Sequence, residues 1–233
     1  MKGTAVRVPA RSRLMFSPFT PVRAWDIIGG SRSLAPERKR GRPITIKKGG
    51  KQMGFSELMK QRQSVRSYQQ RPLERALLDK LVEAVRLAPS ASNSQPWKLI
   101  VVDDPPLRTR VAQACFSQAV AFNRFALEAP VIAVFTVEKA GLITQVGAML
   151  KQRPFSLIDI GIATAHFCLQ AAELGLGTCI LGWFDERKIK RLLNIPGRTR
   201  IGLLVTVGYA AAGYPLREKS RKAVGQMSGY NSY

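Results

Sequence analysis

From residue 53 onward, apolar and polar positions recur with definite periods, and the periods mark out elements. Ser56-Glu57-Leu58-Met59 opens a short helix. Pro72 to Ala88 carries Leu73, Leu77, Leu81, Val85 and Ala88 at helical spacing, and Pro72 suits the first turn, where its missing N–H would be unpaired anyway. Trp97 to Val102 reads as a strand, Pro105 to Phe116 and Phe122 to Ala129 as helices, and the β-branched run Pro130 to Val137 as a central strand. A long apolar helix covers Leu157 to Leu174 and stops at Gly175, whose missing Cβ allows a left-handed cap. Thr178 to Trp183 is a short strand, Asp185 to Leu193 an N-capped helix and Arg200 to Tyr209 a strand; the tail from Gly213 is polar and irregular. Helices and strands alternate without a strict βαβ count, which predicts a mixed α+β sandwich.

Before residue 53 the pattern fails. Pro9, Pro18, Pro21, Pro36 and Pro43 are scattered among Gly and Arg with no sustained period, so residues 1–52 are expected to be a disordered basic extension and residues 53–233 the folded domain. Three readings of the extension stay open: a nucleic-acid-binding arm, an organelle transit segment, or upstream sequence ahead of a natural start at Met53. Lys48-Gly49-Gly50-Lys51-Gln52-Met53 fits the last, because its codons can spell a bacterial ribosome-binding sequence ahead of the ATG.

Charge changes the picture only in part. The chain of 233 residues has 37 Lys+Arg against 15 Asp+Glu, a net +22 that first suggests a nucleic-acid partner. Residues 1–52 hold 13 basic and 2 acidic side chains, so half of the excess lies in the extension. The apolar stretch from Ile158 to Trp183 is interrupted by Asp159, His166, Gln170 and Glu173, so no clean membrane span is expected. Cys115, Cys168 and Cys179 have no CxxC spacing and read as reduced thiols of an intracellular, cytoplasmic protein without structural zinc.

The usual hydrolytic and metal chemistries find no residues. His166 is the only histidine and sits mid-helix between Ala165 and Phe167, a packing or hydrogen-bonding position. No metal-ligand cluster, G-x-G-x-x-G after a strand, or phosphate-binding Walker loop occurs. Four polar pieces remain. Arg62-Gln63-Ser64-Val65-Arg66 sets two guanidinium groups four apart around a hydroxyl, suited to phosphate or to ring carbonyls. Pro89-Ser90-Ala91-Ser92-Asn93-Ser94-Gln95-Pro96-Trp97 is a loop of small polar residues that lets a planar ligand approach the backbone. The others are the glycine-ended strand Gly177-Thr178-Cys179-Ile180-Leu181-Gly182-Trp183 and the basic Lys219-Ser220-Arg221.

In this order and spacing, the four pieces resemble the nitroreductase family of FMN-dependent oxidoreductases over about Met53 to Arg221. The resemblance implies an α+β fold, a sheet sandwiched by helices, and a homodimer with FMN at its interface. It implies that Arg62, Lys219 and Arg221 hold the FMN phosphate, and that Ser64 and Arg66 lie on the pyrimidine side of the flavin, where positive charge favours the reduced ring. Pro89, Ser90, Ala91 and Asn93 would contact the flavin of the other subunit. Ile180, Leu181 and Gly182 would run along the ring with a backbone N–H toward N5. Arg66 stands where the family more often has Lys, Ala91 where Ser is frequent, and Leu181 where Glu is common. An amide expected near the ring has a candidate in Asn123, which no local alignment fixes.

The implied activity is hydride transfer from NAD(P)H through flavin N5 to electron-poor acceptors such as nitroaromatics or quinones, with no catalytic side chain required. The interval between Val137 and Phe155 is too short for the large lid of the fold's specialised dehalogenating or dehydrogenating members. Cys179 is expected as a small core residue rather than a redox thiol, and Trp183 and Phe184 either shape the substrate pocket or pack an interface. The rival class is a nucleic-acid binder using the basic arm; neither nucleic acid nor membrane is expected as a partner.

Overall fold

A computed structural model describes residues 54–118, 121–139 and 153–233. The extension 1–52, the expected start at Met53 and most of the interval between Val137 and Phe155 lie outside the described residues.

Among the described residues four strands make one sheet: β1 (Trp97–Val102), β2 (Val131–Val137), β3 (Gly177–Leu181) and β4 (Arg200–Gly208), in the order β1-β2-β4-β3 and antiparallel throughout. The sheet is mixed only through an isolated parallel bridge, Ser64 with Thr178. Side chains alternate between two covered faces. Val131, Ala133, Phe135, Val205 and Val207 meet α2 (Arg75–Arg86) and α4 (Phe155–Glu173), which contribute Leu78, Leu81, Val85, Ile160, Ala163 and Phe167. Ile132, Val134, Cys179, Leu181 and Leu204 meet α3 (Pro105–Ala112) and α5 (Glu186–Leu192), which contribute Val111, Ala112 and Ile189. Because both faces of β2 are covered, the strand is an unbroken apolar run rather than an alternating one.

Several expected boundaries move. The helix expected from Pro72 begins at Arg75 because Glu74 is extended, and its buried stripe is Leu78, Leu81, Ala84 and Val85, one position on from Leu77. The helix expected over 105–116 is α-helical to Ala112 and continues as a 3-10 turn, Gln113–Cys115. Phe122 to Ala129 yields only the 3-10 turn Arg124–Leu127. Pro130 holds Ala129 out of helical geometry, and what is left is too short to offset helix nucleation. β3 ends at Leu181, so Gly182 and Trp183 follow the strand.

The expected cap at Asp185 and stop at Gly175 hold, and Asp104 caps α3 in the same way. Asp104 accepts from the Leu107 N–H and Asp185 from the Lys188 N–H, both at 2.9 Å. Gly175 takes φ +73° after α4. That 19-residue helix is long and apolar enough to cross a membrane by length and composition, but Ile160, Ala163, Phe167, Cys168 and Ala171 bury its inner face against the sheet.

A short helix, α1 (Phe55–Gln61), delivers the chain to the outer edge of β3. There Val65 N donates to Thr178 O (2.9 Å), Gln69 N to Tyr209 O and Ala211 N to Ser67 O (both 3.0 Å). The buried Tyr68 hydroxyl donates to Val65 O at 2.9 Å and lies 2.8 Å from Thr206 Oγ1. Gly177 makes the approach close enough: a Cβ there would fall 2.6 Å from a Val65 methyl.

Candidate functional site

The arginine segment is extended, and alternate residues face opposite ways. Val65 is buried; Arg62, Ser64 and Arg66 alternate with it along the open edge of β3. Arg62 lines a small cavity of about 160 Å³ with Ala172, Leu176 and Thr178. Arg66 lines a larger pocket of about 540 Å³ with Phe122, Asn123, Ile180, Gly182 and Trp183. Since the Thr178 carbonyl points away from β4 to accept from Val65, Ile180, two residues on, turns its own N–H and C=O to the same outer edge. A Cβ on Gly182 would meet nothing within 4 Å. The edge strand therefore ends in exposed backbone with open space before it.

The tail returns to this edge after β4. Arg217 donates through Nη2 to the Ser64 carbonyl at 2.6 Å and to the Tyr214 hydroxyl. That hydroxyl also accepts from the Arg66 backbone N–H at 3.0 Å. Gln63 and the tail exchange two bonds: Gln63 Nε2 donates to Pro215 O at 2.9 Å and Arg217 N to Gln63 Oε1 at 3.0 Å. Lys219 Nζ donates to the Lys60 carbonyl at the end of α1, while the exposed Arg221 donates to the adjacent Ser220 carbonyl. Among the described residues, no carboxylate forms an ion pair with Arg62, Arg66 or Arg217. Three guanidinium groups thus stand at one strand edge without a counter-charge, the setting for an anionic, hydrogen-bonding ligand. Burial raises the Cys179 thiol above its usual range, and Arg66, Arg217 and Arg62 oppose that rise, so all three cations bear on the middle of β3.

On the far side of the pocket, buried Asn123 donates from Nδ2 to the Trp183 carbonyl at 3.1 Å. Phe122 and Trp183 stand edge to face, with centroids 6.3 Å apart and more than half exposed. An aromatic wall thus faces the arginine edge. Phe184 is apart from this wall, packed with the core under α3 and α5.

Pro89, Ser90, Ala91 and Asn93 are elsewhere. Their loop leads into β1, at the opposite edge of the sheet from β3. Ala91 N donates to Asp159 Oδ1 at 3.1 Å near the start of α4, whereas Ala172 beside Arg62 lies near that helix's end. Thirteen helical residues separate them, roughly 20 Å at 1.5 Å each. The loop is shaped from within: Ser92, Asn93 and Gln95 all have positive φ (50°, 53° and 44°), Gln95 N donates to Ser90 Oγ, and Gln95 Nε2 donates to the Asn93 carbonyl. Within one copy of the chain, then, Arg62, Ser64, Arg66, Ile180, Leu181 and Gly182 converge and Lys219 lies close by, while the loop stands apart.

One residue has a place in the geometry that no local motif announces: Arg217 sits in an irregular tail, where neither period nor spacing singles it out. The remaining candidates are quiet. His166 Nδ1 donates to the Ile162 carbonyl one turn back at 2.9 Å. All three cysteines are free and buried, and the Cys115 thiol is pushed up to about 12 by burial. Among the described residues, no three His, Cys, Asp or Glu side chains gather as a metal site.

Residues 59–209 match the model of the Nitroreductase family. A protein of Thermus thermophilus named NADH dehydrogenase is 28% identical over 181 residues, 66% of this chain and 86% of that one. Among solved structures, a nitroreductase family protein from Clostridium novyi NT is 30% identical with a TM-score of 0.59, covering 69% of this chain and 87% of that one. An FMN-dependent nitroreductase from Clostridium difficile R20291 is 25% identical with a TM-score of 0.59, covering 76% and 98%.

Proposed function

Since the chain belongs to the nitroreductase family, we propose that it is an FMN-dependent oxidoreductase that takes hydride from NADH or NADPH and reduces electron-poor acceptors such as nitroaromatics or quinones. The observation that carries the reading is the set of guanidinium groups, without an ion-pair partner among the described residues, beside an open strand edge that ends in glycine. A flavin phosphate is the anion, and a flat heteroaromatic ring the body, that such an edge fits.

Arg62 would hold the phosphate together with Lys219 and Arg221. Ser64 and Arg66 would line the pyrimidine side, where the Arg66 guanidinium favours negative charge on the ring. The outward Ile180 N–H would donate to the ring edge, with Leu181 and Gly182 flanking it. FMN, when bound, supplies the redox chemistry, and the protein's part is to hold it and leave one face free. Phe122 and Trp183 would then offer an aromatic surface to a planar acceptor.

The loop from Pro89 to Asn93 completes the site in this reading by serving the flavin of a second copy. Its distance from Arg62 within one chain supports a homodimer with FMN at the interface, as does the exposure of Leu157 and Ile158 on α4. The domain that binds FMN would be residues 53–233. Three free, buried thiols support a reducing, cytoplasmic setting.

The test is direct. The purified chain, saturated with FMN and freed of excess, should be yellow and should bleach on anaerobic addition of NADH or NADPH, recovering its colour when a quinone is added. A colourless protein that takes up no FMN would overturn the proposal.

A further inference from the structure

We propose that Arg217 is a positioning residue of this site, fastening the C-terminal tail to the arginine segment so that Lys219 and Arg221 face the same phosphate as Arg62. The inference rests on the FMN reading above and adds a residue to it.

The tail has no regular structure of its own between β4 and the 3-10 turn Val224–Gln226, so its course depends on what grips it. Arg217 grips at two points with one planar group: the Ser64 carbonyl at 2.6 Å and the Tyr214 hydroxyl. Tyr214 passes the hold on, because the same hydroxyl accepts from the Arg66 N–H. Arg217 also donates its backbone N–H to Gln63, whose amide returns a bond to Pro215. Apart from the Arg217–Tyr214 bond, which lies within the tail, these contacts land on Gln63, Ser64 and Arg66 of the arginine segment. Lys219 and Arg221 follow two and four residues later, with Lys219 already at the Lys60 carbonyl just ahead of Arg62. Both side-chain bonds leave Nη2, whose two N–H groups are fixed in the guanidinium plane; a lysine ammonium is shorter in reach and its N–H groups rotate, so it does not reproduce the pair.

The apoprotein is titrated with FMN and with riboflavin, which has the ring but lacks the phosphate. The wild type should prefer FMN. Arg217→Ala should cut that preference about tenfold, the size expected for losing charge-assisted bonds, while riboflavin affinity stays within about twofold. Tyr214→Phe should act in the same direction more weakly, and Arg217→Lys should fail to restore the preference. Adding Lys219→Ala and Arg221→Ala to Arg217→Ala should cost less than adding them to the wild type, because the groups act as one unit. Equal losses for FMN and riboflavin, an unchanged preference, or full rescue by lysine would each overturn the inference while leaving the FMN reading intact. A wild type that binds neither flavin would instead remove the reading on which it rests.

Discussion

The edge of β3 and the loop before β1 carry the two most distinctive motifs of the chain, and they are built in opposite ways. The β3 edge is charged and composite: α1, the arginine segment, β3 and the tail each bring part of it, joined by backbone bonds and by the Arg217 fork. The loop is uncharged and comes from one stretch, bent by three left-handed residues and tied to the body through Asp159. Such backbone costs about 1–3 kcal/mol per residue and persists only where surrounding contacts over-determine it. A ligand-hugging loop needs small residues in succession, and one short stretch provides them. In the function proposed above, each region would supply part of a flavin site shared between two copies.

The largest expected effect divides the regions by charge. Arg62→Ala should weaken FMN binding about a hundredfold, the equivalent of two charge-assisted hydrogen bonds, as read by quenching of flavin fluorescence. If the two regions serve one site across an interface, a mixed dimer of Arg62→Ala with a Ser90→Ala/Asn93→Ala copy keeps one intact site, so it should bind about one FMN where the wild type binds about two. A mixed dimer with no FMN at all would place both regions in one chain's site and end the comparison.

Next comes the anchor of the loop. Asp159→Ala removes the charge-assisted bond between the carboxylate and the Ala91 N–H, at a cost of about 1.5–3 kcal/mol in unfolding free energy. Amide exchange should quicken over residues 90–95 and stay unchanged over 64–68; acceleration at both would show that the regions are mechanically one.

The smallest effect is set by pH. Burial raises the thiols of Cys168 and Cys179 above their ordinary values, and both lie on the β3 side. Their protonated state is shared by folded and unfolded chains below the usual thiol pKa of about 8.5, so stability there is undisturbed. Above it the unfolded chain loses protons that the folded chain keeps, and stability falls as pH rises toward the folded values. Urea unfolding at pH 8 and pH 10 should show this loss, and Cys168→Ala with Cys179→Ala should lessen it, the remainder coming from the buried Cys115 thiol. In the same double variant, turnover at pH 7 should stay within about twofold if Cys179 is a core residue rather than a redox thiol.

Much of this was legible along the chain. The covered strand β2, the Asp185 cap and the Gly175 stop are local events, each decided by residues a few positions apart. So were the arginine pair and the small polar loop, whose chemistry is spelled out in consecutive letters. The start of α2 was not legible, because Glu74 stays extended although the apolar period runs back to Leu73. Nor was the single 3-10 turn at Arg124–Leu127, where apolar content promised a helix and Pro130 left no room for one.

By itself, then, the sequence determined which residues have the chemistry for a flavin site and which elements carry them, because periodicity and motif spacing are short-range properties. Only the tertiary structure decided their grouping. Pairing across the sheet brought Arg62, Ser64 and Arg66 to β3, and the returning tail added Arg217. The length of α4 held the loop roughly 20 Å away. Distances of that kind are set by strand order and helix length, and no pattern of neighbouring residues encodes them.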